Sequence, residues 1–258
     1  ENYIESHMHQ ALENGEFRLY LQPKINLKDG SLAGAEALVR WITDEGKMMF
    51  PNDFIPLFEK NGFCTRLDMY MMECACRHIH HWMECGIRPV PISVNQSRLL
   101  FYEADYPERL KELVDRYEIP AGLITLEILE GLAIGNVEEM NERISLLHKA
   151  GFRISMDDFG AGYSSLNVMG ALKIDELKLD RAFLMEVSQG NNLRQKAVME
   201  MVIALTRRLR IATVAEGVET KEDEALIREL GCDAGQGYYY SRPVSAEEFD
   251  GRFIGAGL

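Results

Sequence analysis

The feature that most limits what this chain can fold into is a regular alternation of strand-like and helix-like segments from end to end. Short apolar or alternating runs occur at FRLYLQ (17–22), LAGAEALVR (32–40), VPISVN (90–95), LITLEIL (123–129), FRISMD (152–157), IDELKLD (174–180) and RIATVAE (210–216), with a weaker one at AGQGYYY (234–240). Longer amphipathic segments separate most of them. One runs from Thr65 to Gly86, one starts at Pro107 and stops before Pro120, one opens on Asn136 and closes on Gly151, and one runs from Thr220 to Gly231. Polar residues at the start and glycine at the end follow the usual capping asymmetry. Between the first two strands lies only PKINLKDGS. That is too short for a crossover helix, and its Asp-Gly pair is a hairpin signal, so these strands pair antiparallel. Eight strands alternating with helices predict a variant (β/α)8 barrel with an antiparallel first strand, in a single domain over residues 1–258.

The barrel prediction gives meaning to a set of misplaced polar residues. Each strand carries one near an end: Gln22, Glu36, Asn95, Glu127, Asp157, Lys178, Glu216 and Gln236. C-terminal strand ends converge on one mouth of a barrel, where active sites lie. Glu36, Asn95, Glu127, Asp157, Asp158 and Glu216 all offer oxygen, which suits Mg2+ or Mn2+. Five carboxylates outweigh one divalent ion, and two ions match them better. Successive strand side chains face opposite ways, so Asp157 and Asp158 join one cluster only if the strand breaks between them. The following FGAG supplies that break. Two ions about 3.5–4 Å apart are the usual device for in-line displacement at phosphorus. Lys178 then steadies the attacking water or the developing charge. Its rival role is a Schiff-base lysine, against which the surrounding acids argue by holding its charge.

Charge and cysteine usage narrow the setting. The formal net charge is −13, which argues against nucleic-acid binding through a basic surface. No run of about 18 apolar residues predicts a membrane span, and no signal peptide is visible. Five cysteines, an odd number, point to a reducing cytoplasm. Cys74, His78, His81 and Cys85 share a helix face, but they extend over about 16 Å at 1.5 Å per residue and cannot converge on one zinc ion. The chain begins without Met, on a charged amphipathic stretch, so it reads as a domain cut from a longer protein.

The polar residues sit in motifs that together resemble one family. "EALVRW" (36–41) looks like the signature of EAL domains, which are cyclic di-GMP phosphodiesterases. The likeness continues through "SVNQS" (93–97), "LEILE" (126–130), "MDDFGAGYSSL" (156–166), "LKLDR" (177–181), "AEGVET" (215–220), "GCDAGQGY" (231–238) and "SRP" (241–243). The resemblance implies metal-dependent hydrolysis of cyclic di-GMP to linear pGpG; Ca2+, a larger ion of irregular coordination, is expected to inhibit. It places Glu36, Asn95, Glu127, Asp157, Asp158 and Glu216 on metal-ligand positions and Lys178 on the water-contacting position. Gln22, Arg40, Gln236 and Pro243 fall on substrate-side positions. Glu219 falls on a further position required for activity, and Glu130 on the glutamate that anchors the DDFG loop. The resemblance also implies a homodimer, whose apolar face is expected at Leu166, Val168, Met169 and Leu172, and an upstream regulatory or GGDEF-like domain. Ala161, Leu129, Gly131, Leu21 and Thr43-Asp44 depart from the family pattern, but none is a metal ligand. Some EAL domains bind cyclic di-GMP without cutting it; here the ligand set and the lysine are complete.

Overall fold

A computed structural model describes residues 2–133, 136–160, 166–190 and 192–255. Its strands are β1 (Phe17–Asn26), β2 (Leu32–Ile42), β3 (Met48–Met49), β4 (Ile92–Asn95), β5 (Ile124–Leu129), β6 (Arg153–Phe159), β7 (Glu176–Leu179), β8 (Ala212–Ala215), β9 (Ala234–Gly235) and β10 (Val244–Ser245). The hydrogen-bonded order is β10-β1-β9-β8-β7-β6-β5-β4-β2-β3, and a further β1–β2 pairing closes it. Eight of these strands form a barrel, with β3 and β10 as two-residue additions. β1 runs antiparallel to both neighbours, β2 and β9, while β2 and β4 through β9 are mutually parallel. This is the expected variant barrel.

The barrel wall is polar inside and apolar outside. Successive strand residues face opposite sides, so Ser93 and Asn95, Thr125 and Glu127, Ser155 and Asp157, and Glu176 and Lys178 share the inner face of their strands. The intervening Ile92, Val94, Leu126, Ile128, Ile154, Met156, Leu177 and Leu179 are buried against the surrounding helices. Burying each such side chain contributes about 1.5–3 kcal/mol, so this outer layer carries the fold and leaves the interior free for polar groups. Two helices begin where their caps predict, whereas the one expected from Thr65 runs from Cys64 to Glu84 without a side-chain cap. Asn136 accepts the Glu139 N–H at the start of Val137–Lys149. Thr220 and Asp223 form a capping box on Lys221–Leu230, which Gly231 closes in the left-handed region.

Two strands differ from expectation. The first does not stop at Gln22 but continues through Pro23 to Asn26. Proline in a strand normally deprives the ladder of a donor. Here β10 pairs with β1 at Tyr20 and Leu21, and β9 pairs at Ile25 and Asn26. Pro23 falls between those ladders, where its missing N–H deprives neither. The last barrel strand is only Ala234–Gly235. Aromatic residues at 238–240 give the sequence a strand-like look, but Tyr238 and Tyr239 are exposed beyond the barrel.

Candidate active site

Lys178 is fully buried at the centre of the barrel mouth. Its Nζ lies 2.8 Å from Glu216 Oε1, 2.9 Å from Glu127 Oε2, and 3.2 Å from both Glu36 Oε2 and Asp157 Oδ1. These residues come from β2, β5, β6, β7 and the end of β8, so closure of the barrel is what assembles them. Asn95 Nδ2 donates to Glu36 Oε1 at 3.0 Å. Gln236 Nε2 donates to Glu36 Oε2 at 2.6 Å and to Gln22 Oε1 at 3.0 Å, and Gln22 Nε2 donates to the Ser241 carbonyl.

Among the described residues, side chains gather closely enough to hold an ion in two groups. One is Glu36, Glu127 and Asp157; the other is Asp157, Asp158 and Glu216. Asp157 belongs to both. The break that lets neighbouring aspartates converge is not where the glycines suggest. β6 continues to Phe159, with a register shift against β7 between Met156 and Phe159. Asp158 itself takes up the irregularity at φ 59°, in the left-handed region. A β-bulge re-aims the side chain at its position, so Asp158 joins the face of Asp157. The Asp158 N–H also donates to Asp157 Oδ1 at 2.9 Å.

The electrostatics are those of crowded acids around one cation. Burial alone would lower the Lys178 ammonium, but Glu127, Glu36, Glu216 and Asp157 together hold it well above its usual range. That favours the charged ammonium over the neutral amine that a Schiff base needs. Burial would raise Glu127, yet Lys178 and Lys24 hold it down to about 2. Glu216 is pushed up to about 8 by burial, with Asp157 and Glu36 adding to the effect. Burial likewise raises Glu36, Asp157 and Asp158, each reinforced by neighbouring carboxylates.

The remaining expected residues take other places. Arg40 is half-buried on β2, two pleats beyond Glu36, with its guanidinium over the rings of Tyr20 and Phe50. Pro243 is half-buried just before β10. Glu219 stands outside both acidic groups and is exposed; its Oε1 pairs with Arg181 Nη2 at 2.6 Å. Glu130 opens a single 3-10 turn, Glu130–Ala133, directly after β5. Ala161 and Gly162, expected beside it, lie outside the described residues. The apolar face expected of a dimer is absent at Met169 and Leu172, which are core residues, and Val168 packs against the core. They cover the barrel; the Leu166 side chain lies outside the described residues. The Cys/His helix face lines a groove of about 660 Å3 outside β1. There His78 Nε2 is taken by Asp250 at 3.0 Å, and Cys85 Sγ is 3.8 Å from His81 Nε2, as helix geometry requires.

Sequence reasoning missed a supporting layer. Lys24, on the inner face two residues from Gln22, reaches Glu127 from below. Its signal was the strand period, counted through Pro23. Around Asn95, Gln96 accepts from the buried Tyr106 hydroxyl at 2.7 Å and donates to the Asn95 carbonyl at 2.8 Å, while the Ser97 N–H donates to Asp68 at 2.8 Å. A cavity of about 240 Å3 opens beside this segment, lined by Asn95, Glu127, Leu129, Ile55 and Met71. Among the described residues no helix is long and apolar enough to cross a membrane.

Comparison with known proteins agrees with this geometry. The family described as EAL domain matches residues 5–243. The Pseudomonas aeruginosa "Bifunctional diguanylate cyclase/cyclic di-GMP phosphodiesterase MucR" is 34% identical over 241 residues, which is 93% of this chain and 35% of that protein. The "Cyclic di-GMP phosphodiesterase NbdA" of the same organism is 32% identical over 252 residues, 96% of this chain and 32% of that protein. The chain thus spans about a third of the length of these curated relatives. The solved structure "PaMucR Phosphodiesterase, c-di-GMP complex" superposes with a TM-score of 0.89 at 33% identity, covering 96% of this chain and 99% of that one. From motifs, fold and these matches together, the chain belongs to the EAL domain family.

Proposed function

We propose that the chain is a metal-dependent phosphodiesterase that opens cyclic di-GMP to linear 5'-pGpG. The observation that carries this reading is Asp157, shared between two groups of carboxylates whose ligand atoms lie within 4.8 Å of one another. The donor set fits two Mg2+ or Mn2+ ions: its atoms are oxygens of carboxylates and amides. Gln236 Oε1 adds to the fit as a buried acceptor without a partner at the edge of the cluster. Bound there, the ions would offset the acidic charge and polarise both a water and the nonbridging oxygens of the phosphodiester.

The chain's own residues supply the rest. Glu36, Asn95, Glu127, Asp157, Asp158 and Glu216 form the ligand set. Lys178 stays charged and offers N–H donors to the attacking water. Gln22, Gln236, Arg40 and Pro243 face the substrate, with Arg40 held by Tyr20 and Phe50 for a phosphate. Glu219, on the loop that follows Glu216, acts through its pair with Arg181 at the start of the Arg181–Ser188 helix, and Glu130 anchors the Asp158 loop without touching metal. For Glu130, retained metal binding in an inactive Glu130→Gln variant supports this role, and abolished binding makes it a ligand instead. The protein works in the cytoplasm as a homodimer, below a regulatory or GGDEF-like domain. Sedimentation at micromolar concentration tests the dimer; a clean monomer that is fully active would remove dimerisation from the mechanism.

The deciding experiment is chromatography of products after incubation with cyclic di-GMP and Mg2+ or Mn2+. Linear pGpG is expected. Tight binding of intact cyclic di-GMP with no product would make the chain a receptor.

A further inference from the structure

Beneath the acidic mouth lies a second polar layer that the proposed chemistry does not use. Its centre is Lys24, 4% exposed. Its Nζ donates to Ser93 Oγ at 2.5 Å, to Glu127 Oε1 at 3.0 Å and to Glu176 Oε1 at 3.2 Å. An ammonium has three donors and no acceptor, so these three bonds use all of it. Lys24 therefore has no donor left for substrate or water. Its charge acts on the mouth mainly through Glu127, and Glu176 lies beside it with the opposite charge. Glu176 is itself held, because its Oε1 also accepts the Ser155 hydroxyl at 2.9 Å. Two residues further along the same strand, on the same face, stands Lys178.

The carboxylate of Glu127 is what this layer grips. Oε1 is taken from below by Lys24, and Oε2 lies 2.9 Å from Lys178 at the mouth. The last torsion of a glutamate is broad and roughly two-fold, so packing alone does not decide which oxygen faces the mouth or at what tilt. A fixed ammonium below does decide it. We propose that Lys24 is a positioning residue that clamps Oε1 of Glu127 so that Oε2 alone is presented to the metal site. The inference rests on the metal-dependent phosphodiesterase reading. It assigns a function to the Pro-Lys step of β1, which no motif marks. Partners of this kind typically change metal affinity or activity 10–100-fold when removed.

The test separates positioning from folding by removing the buried pair together. Lys24→Met alone leaves the half-buried Glu176 with one hydroxyl for company and is the variant at risk of misfolding. Lys24→Met with Glu176→Gln removes both charges and keeps an amide for Ser155. Mn2+ is titrated into the wild type and the double variant by calorimetry, without substrate, and kcat and KM for cyclic di-GMP are measured at saturating Mg2+. The double variant is expected to fold, to bind Mn2+ at least tenfold more weakly and to lose at least tenfold in kcat, with KM within twofold of wild type. A folded double variant with the wild-type Mn2+ isotherm overturns the proposal, even if hydrolysis by the wild type is confirmed. A wild type that binds Mn2+ but releases no pGpG sinks the phosphodiesterase reading alone, and Lys24 is then judged on the isotherms. A wild type that takes up no Mn2+ overturns both.

Discussion

Gly237 is the point at which the site depends on a missing side chain. It follows Gln236, and its backbone lies directly against Val218 in the loop that carries Glu216 and Glu219. A Cβ at 237 would fall 2.2 Å from the Val218 carbonyl oxygen, 2.4 Å from its nitrogen and 2.8 Å from its carbonyl carbon. Ordinary contacts need about 3.5 Å or more, and all three atoms are backbone, so no rotamer relieves the clash. Gly237→Ala must therefore push the two segments apart by about 1 Å. The Val218 N–H bond to the Gln236 carbonyl (3.2 Å) and the Tyr239 N–H bond to the Val218 carbonyl (3.0 Å) span this seam. Overpacking of this kind costs about 1–3 kcal/mol of stability, with a fall in Tm of roughly 2–4 °C per kcal/mol for a domain of this size. The catalytic loss is larger in kind. Gln236 and Glu216 sit on opposite sides of the seam, and each is bonded into the cluster at 2.6 Å and 2.8 Å. A misplacement of about 1 Å costs on the order of 100-fold in rate, or about 2.7 kcal/mol of barrier. The assay is the initial rate of pGpG formation at saturating Mg2+, beside thermal unfolding. Gly251→Ala is the control, because nothing lies within 4 Å of its added Cβ. A Gly237→Ala enzyme that turns over within twofold of wild type would refute the reasoning.

Glu36→Ala and Lys178→Met should differ in kind: the first recovers part of its activity at high Mn2+, whereas the second, freed of a cation that competes for the same oxygens, binds metal at least as tightly as wild type with turnover down at least 100-fold. Superimposable metal titrations of the two variants would contradict these roles. Ca2+ should abolish turnover, because a larger ion with irregular coordination spoils in-line geometry; full activity in Ca2+ alone would sink the two-ion account. Asp68, which accepts the Ser97 N–H, is pushed up to about 7 by burial. Its unfolded value is about 3.9, so the folded state keeps the proton longer and stability falls as pH rises from about 4 to 7. Linkage gives at most about 4 kcal/mol, and about 2 after allowing for the group's partial access to water. Asp68→Asn should therefore gain on wild type from pH 4 to pH 8 in denaturant titrations, and a difference independent of pH would count against it.

The polar mouth was legible because strand ends carry their own signal: Asn95, Asp157 and Glu216 each follow an apolar run that has no other use for them. The layer below was not. Ser93, Ser155 and Glu176 look like solvent-facing residues of half-buried strands, and only knowledge that the barrel is polar inside turns them inward. Lys24 was hidden by Pro23, which ends a strand by every local rule and is tolerated here because the partners on that side change at that point. The bulge at Asp158 was legible as a need but not as a place. Two adjacent carboxylates required a break, and the nearby glycines drew attention from the aspartate that adopts the left-handed backbone. β3 and β10, two residues each, are too short to show any period.

The two buried lysines show how one barrel holds a fixed group and an exchangeable one a few ångströms apart. Lys24 has three donors and three partners, one for each, so any movement breaks a bond in the interior. Lys178 has the same three donors but four carboxylate oxygens within 3.2 Å. At most three can be bonded well at once, so its partners are interchangeable at little cost. Those four carboxylates are also the residues with the strongest need of positive charge from elsewhere. Cations arriving among them would compete with the lysine for the same oxygens and release some of its donors, at the place where a water would have to be held. A saturated lysine below and an oversubscribed one above is therefore the arrangement that keeps Glu127 still while leaving the Lys178 ammonium able to change partners.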